Sequence, residues 1–261
     1  MLIKDFIKII EQDYPLKSAL SFDNSGANIV DFNAELKNVL VCLDITIDTI
    51  QYAKNNDVDL IVSHHPIIFN EIKNINDDPT SKRIKLLNKY DISAYSCHTN
   101  YDVNLNNGMG KNLLKLLFDD KDIKSHTLLE TFVVDNVDYG IGDVIVLNKS
   151  IVFEDILNRL KSKLFLDDEK ISFYKLKDDI DKIIIIPGSG SGDIDLVIDE
   201  MTDLLITSDL KHNHILDLIE SGISYINATH YGLEKVFVDS FTEYIKDRFN
   251  NLKVYKYSIN M

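Results

Sequence analysis

Cysteine is scarce in this chain: Cys42 and Cys97 are the only two among 261 residues. Both lie inside apolar stretches, which excludes a disulfide framework and fits a reducing compartment. Long apolar runs are missing too. No stretch approaches the roughly 18 uninterrupted apolar residues of a membrane-spanning helix. The N-terminal segment Met-Leu-Ile-Lys-Asp-Phe-Ile-Lys-Ile-Ile-Glu is broken by charges every few positions, unlike a secretory leader. These absences predict a cytoplasmic protein. Basic charge is the third shortage. Lys and Arg number 28 against 42 Asp and Glu, a formal net charge of −14, and no dense Lys/Arg block occurs. A protein that grips nucleic acid needs a basic footprint for the phosphates, so direct nucleic-acid binding is not expected.

What is present describes an ordinary globular chain. Apolar residues make up 45% of it, enough for a real core in one large domain or two modest ones. Ile3, Phe6, Ile7 and Ile10 repeat at helical spacing and predict an N-terminal helix. Pro15 and Asp23-Asn24-Ser25-Gly26 mark a break. Short β-prone runs follow at Val39–Leu43, Leu60–Val62 and Ile92–Ser96. They alternate with helical patterns at Ile47–Asn55, Lys82–Asn88 (Thr80 or Ser81 as candidate cap) and Gly110–Phe118. Alternation of this kind argues for α/β units with mainly parallel pairing.

The second half repeats that order. Ile183–Ile186 matches Val39–Leu43 in type, and Asp203-Leu-Leu-Ile-Thr-Ser matches Asp59-Leu-Ile-Val-Ser, both at an offset of 144 positions. Ile223–Ala228 runs into Thr229-His230 much as Ile92–Ser96 runs into His98, here at an offset of 132. Two related α/β repeats are therefore expected, residues 1–125 and 126–261. Between them, Val144–Leu147 reads as a strand, Phe153–Leu164 as a helix and Asp167-Asp168-Glu169-Lys170 as a solvated turn.

Open α/β sheets bind ligands at the carboxyl ends of their strands. His64 and His65 follow one predicted strand, His98 and Asp102 another, and His230 and Glu234 the equivalent strand of the second repeat. Singly, each reads as a turn, a cap or a surface pair. Together they read as one site assembled from distant sequence. His64, His65, His230, Asp102 and Glu234 contain no thiolate, which suits a catalytic site for zinc, iron or manganese better than a structural zinc site. Five ligands are too many for one open zinc site and fit two ions that share a bridging oxygen, with positions left for substrate and an activated water.

His98 is not needed as a ligand. It reads either as a general acid or base, or partner of a ligand, or as a loop histidine satisfied by backbone. His212 and His214 either line the same cleft or lie on a surface helix, and His126 carries no role. Gly188-Ser189-Gly190-Ser191-Gly192 lacks the lysine of a P-loop and reads as a tight strand-to-helix turn. Cys97 and His98 are no nucleophile–base pair, because neighbours on a strand point to opposite faces.

The segment Asp57-Val-Asp-Leu-Ile-Val-Ser-His-His-Pro-Ile-Ile-Phe69 resembles the signature of the Nif-three-like family, whose members are often labelled type 2 GTP cyclohydrolase I homologues. Ile92–Asp102 is similar to the family's His-Thr-Asn-x-Asp segment. Asp203–Asp209 and Ala228–Lys235 resemble its C-terminal block, and Phe22-Asp-Asn-Ser-Gly26 resembles its Trp-Asp-Asn-x-Gly. The resemblance spans nearly the whole chain in order. It implies two intertwined α/β repeats with mixed, mainly parallel sheets and a dinuclear metal site between them, with His64, His65, Asp102, His230 and Glu234 as ligands. It also implies a homohexameric ring, a trimer of dimers. The length matches the short form without an inserted domain. Four positions depart from the family: Phe22 for Trp, Asp143 where many members carry Arg, Thr229 for Gly, and Asn213 where some members have His. None is a proposed ligand.

Two functions follow. One is a metal-dependent hydrolase of GTP or a related nucleotide-like heterocycle, with His98 moving a proton. The other is a metal-dependent regulatory or protein-interaction ring without catalysis.

Overall fold

The computed structural model describes residues 1–166 and 170–259, so residues 167–169 of the expected turn lie outside the described residues. The chain divides into two compact units. The first comprises Met1–Tyr101 with Phe237–Met261, the second Asp102–Val236. The chain thus leaves the first unit and returns to it, which is the intertwining expected.

The division falls elsewhere than residue 125, for two physical reasons. Helix α5 (Met109–Leu117) buries Leu113, Leu114 and Leu117 in the core of the second unit, against Ile156 and Leu160 of α6 (Phe153–Leu164). At the other end, β11 (Lys253–Tyr257) pairs in parallel with β2 (Asn38–Cys42) of the first unit.

The first unit opens with α1 (Ile3–Asp13), whose buried Ile3, Phe6, Ile7 and Ile10 are the residues that the spacing selects. Its sheet runs in the order β1 (Gly26–Ile29), β4 (Ser93–Ser96), β3 (Leu60–Ser63), β2, β11. All pairs are parallel except β1 on β4. Every residue of β3 and β4 is buried, as strands covered on both faces must be. Helices α2 (Ile47–Asn55) and α3 (Pro79–Lys89) supply part of that cover through Ile50, Ala53, Ile84 and Leu87. The cap of α3 is Asp78, not Thr80 or Ser81: its carboxylate accepts the Ser81 N–H at 3.0 Å. Pro79 explains the shift, since its missing N–H and fixed φ suit the first helical position.

In the second unit the order is β5 (Ile123–Val134), β6 (Val137–Val152), β8 (Asp179–Ser189), β9 (Leu204–Ser208), β10 (Ser224–Ala228), β7 (Ser172–Tyr174). Strands β8, β9 and β10 are parallel, and β7 flanks β10 antiparallel, as β1 flanks β4. The antiparallel hairpin β5–β6 turns at Asp135 and Asn136, both at positive φ. That is the conformation a two-residue turn needs to follow the strand twist. The sequence pattern reveals only Val144–Leu147 of this hairpin, because much of the rest is solvent-facing and polar.

One device is common to both units. The Asp59 carboxylate accepts the N–H groups of Lys37 and Asn38, each at 2.8 Å, where β2 begins. The Asp203 carboxylate accepts those of Asp181 (3.0 Å) and Lys182 (2.9 Å) at the matching place in β8. The repeat seen in the sequence is thus also a repeat of hydrogen bonding. Among the described residues no helix is long and apolar enough to cross a membrane.

Candidate metal centre

In the first unit the backbone ladder runs on past β3. His64 N–H donates to Cys42 O (3.1 Å) and His65 N–H to Leu43 O (3.0 Å), which brings both histidines out at the carboxyl end of the sheet. His64 is fully buried, with the ring of Phe237 5.0 Å away. Its Nδ1 donates to the Cys97 carbonyl at 2.8 Å. A carbonyl can only accept, so Nε2 carries the lone pair of the neutral ring. His65 is arranged alike, its Nδ1 2.8 Å from Asp44 Oδ1.

His98 follows β4, and its Nδ1 lies 2.6 Å from Asp23 Oδ1. The Asp23 side chain is 0% exposed. Burial pushes its carboxyl up, but hydrogen bonds from His98, Ser25 and Thr99 overcome that and hold it well below the usual carboxylate range. Rings of His64, His65 and His98 stand 5.0–5.5 Å apart, and one nitrogen from each falls within 4.8 Å of the others. The neighbouring Cys97 is no nucleophile, since burial pushes its thiol well up.

In the second unit β10 is followed by Thr229, whose hydroxyl caps the short helix α9 (His230–Glu234) by accepting Gly232 N–H at 2.9 Å. His230 and Glu234 therefore share a face. His230 Nε2 lies 3.0 Å from Glu234 Oε2, and Nδ1 lies 2.6 Å from Asp209 Oδ2. The Glu234 hydrogen bond raises the imidazole, burial opposes it, and Asp209 adds to the rise, so that the group is pushed up to about 9. Glu234 is 5% exposed on its side chain. Gly188 makes room for it: a Cβ there would stand 2.5 Å from Glu234 Oε1, and φ is +70°. Asp102, the last residue of α4 (Thr99–Asp102), is half-buried.

Among the described residues, the remaining candidates do not join these groups. His212 is exposed and His214 half-buried on α8 (His212–Glu220). His126 is paired through Nε2 with Asp143 at 2.5 Å, both largely buried. Sequence reasoning assigned no role to Asp44, Asp209 or Gly188. Asp44 and Asp209 each sit within two residues of a strand end, the one signal that marks them.

These groups can hold a divalent cation. Metal-ligating histidines characteristically give their second ring N–H to a carboxylate or a carbonyl. His64, His65, His98 and His230 all do so. The donors are nitrogen and oxygen only, and Gly188 keeps open the space beside Glu234 that a Cβ would fill.

Fold and donors together define an α/β protein of two related units with imidazole–carboxylate groups at its strand ends. The family model described as Duf34/NIF3 (NGG1p interacting factor 3) matches residues 1–261. A Clostridium perfringens relative named GTP cyclohydrolase 1 type 2 homolog is 31% identical over 252 residues, covering 96% of this chain and 94% of its own. A Helicobacter pylori protein named GTP cyclohydrolase 1 type 2 is 30% identical, covering 90% and 88%. Among solved structures, a Staphylococcus aureus hypothetical protein superposes with a TM-score of 0.88 at 26% identity, covering 100% of this chain and 97% of its own. Reduced HcgD from Methanocaldococcus jannaschii gives 0.82 at 28% identity, with coverage of 98% and 97%. The chain belongs to the Duf34/NIF3 family.

Proposed function

We propose that the protein is a metal-dependent hydrolase of a nucleotide-like substrate, with GTP as the first candidate. His64, His65, Asp102, His230 and Glu234 would hold two divalent ions, zinc, iron or manganese. The observation that carries this reading is the oxygen acceptor on Nδ1 of each histidine. It fixes the lone pair of His64 on Nε2, while Nε2 of His230 lies 3.0 Å from Glu234 Oε2. The family resemblance, and not any distance, supports joining the donors of both units into one dinuclear site. Relatives named for GTP cyclohydrolase support the substrate class.

When bound, the ions supply Lewis acidity and an acidified water. The protein's own contributions are separable. Asp102 and Glu234 would supply the carboxylate oxygens that hold the ions. Asp44 and Asp209 orient His65 and His230. His98 moves a proton at Nε2 while Asp23 holds its Nδ1. Assembly is proposed as a homohexamer, a trimer of dimers, in the cytoplasm.

Metal content of freshly purified protein tests the reading. About two ions per chain are expected in the wild type, with loss in His65→Ala and Glu234→Ala. GTP hydrolysis is expected to be lost in His98→Ala with the ions retained. A wild type that takes up no zinc, iron or manganese when supplied overturns it. A second reading, favoured by the words "interacting factor" in the family description, is a metal-dependent regulatory ring. It is adopted if the ions bind and no nucleotide is turned over.

A further inference from the structure

Two large apolar side chains beside the histidine cluster of the first unit stand in solvent. Phe22 is 63% exposed and Phe69 is 46% exposed. Their ring centroids lie 6.5 Å apart, tilted by 48°. Phe69 also meets His98 edge-on at 6.1 Å. Neither ring sits on a loose tip. Phe22 immediately precedes the buried Asp23, whose carboxylate takes three hydrogen-bonding groups from His98 and Thr99. Phe69 follows Ile68, whose carbonyl accepts Asn24 Nδ2 at 2.5 Å and whose N–H donates to Asn28 Oδ1 at 3.3 Å. The segments that present the two phenyl rings are therefore tied to each other and to the residue that holds His98.

We infer that Phe22 and Phe69 form a stacking platform for the planar heterocycle of the substrate, a ring of purine type, with His98 at its edge. This rests on the nucleotide-hydrolase reading and deepens it. Exposed phenyl faces gain most from a flat, polarisable partner, and every nucleobase offers a π-face. The polar edge of such a ring would meet imidazole nitrogens, whereas an aliphatic ligand would leave those unused.

The chain contains no tryptophan, so Phe22→Trp introduces a single indole at the platform, excited at wavelengths where the twelve tyrosines do not absorb. The expected result is quenching by guanosine and by GTP but not by inorganic triphosphate. Phe69→Ala should weaken GTP binding on the order of ten- to a hundredfold, with metal content and oligomeric mass unchanged. The inference is overturned if no nucleoside quenches, if triphosphate quenches as well as GTP, or if GTP affinity survives both Phe22→Ala and Phe69→Ala. It is equally overturned if those variants lower the oligomeric mass, for the face is then an interface between copies. GTP turnover with an affinity blind to both phenylalanines removes the platform and leaves the hydrolase. Stacking without turnover does the reverse.

Discussion

Asp23 reaches His98 across 75 positions of sequence, its Oδ1 2.6 Å from Nδ1, from a side chain with no solvent exposure. A buried carboxylate in this place sets the tautomer and the orientation of the imidazole. Asp23→Asn removes the charge and can present an N–H where an acceptor is needed. Nucleotide turnover is expected to fall about 10–100-fold with metal content retained. Steady-state kinetics beside metal analysis checks this; loss of the ions in the variant would show that Asp23 supports the ligands instead.

Asp44 and Asp209 hold His65 and His230 by the same kind of bond, at 2.8 and 2.6 Å. Removing such a partner frees the ring to rotate. Asp44→Ala and Asp209→Ala are each expected to lower metal affinity about 10–100-fold while the fold persists. Competition titration with a chromogenic chelator measures it.

Gly188 is required twice, by its φ of +70° and by the 2.5 Å between an added Cβ and Glu234 Oε1. Gly188→Ala is expected to cost about 1–2 kcal/mol from the left-handed backbone alone and to push Glu234 aside. Thermal unfolding should show the first effect, and metal content the second. Gly222, also at positive φ but with nothing within 4 Å of an added Cβ, is the control: Gly222→Ala should show only the backbone effect.

Asp203 is held below the usual carboxylate range. Partial burial raises it, but hydrogen bonds from Lys177 and from the N–H groups of Asp181 and Lys182 prevail. Its folded pKa therefore lies below the unfolded one, near 3.9. The stability it contributes is present above about pH 4 and lost as pH falls below that. Asp203→Asn is expected to destabilise by roughly 1–3 kcal/mol at neutral pH. The gap in melting temperature from wild type should close in acid, and a gap constant from pH 7 to pH 3 would refute the assignment.

His126 and Asp143 form a largely buried pair, and burial pushes the Asp143 carboxyl up. A Cβ at Gly110 would stand 1.5 Å from Asp143 Oδ2, so the carboxylate fills the space that a side chain at this position of α5 would take. His126→Ala strands this carboxyl and is expected to cost about 3–5 kcal/mol. Urea denaturation checks that, with metal content per folded chain unchanged.

Much of the fold was legible because its parallel strands are short apolar runs between amphipathic helices. Phe153–Leu164 was readable to the residue, and β2, β3, β9 and β10 to within about two residues. The hairpin β5–β6 was not, since the polar run Lys124–Thr127 and the glycines at 140 and 142 interrupt the alternation that marks a strand. The helix cap at Asp78 was missed because Thr80 and Ser81, equally good capping types, stood nearer the apolar pattern. At the site, histidines and carboxylates after strands were visible as residue types at strand ends. Their partners were not, because hydrogen bonds such as Asp23 to His98 and Asp44 to His65 span 75 and 21 positions.

The sequence by itself determined the alternation of strands and helices, the duplication, and which side chains have the chemistry to bind a cation, because periodicity and residue type are local properties. Only the tertiary structure decided where the units divide, which nitrogen of each imidazole is committed to a hydrogen bond, and why Gly188 must lack a side chain. Those depend on distances between residues remote in the chain, which are set by packing and not by spacing.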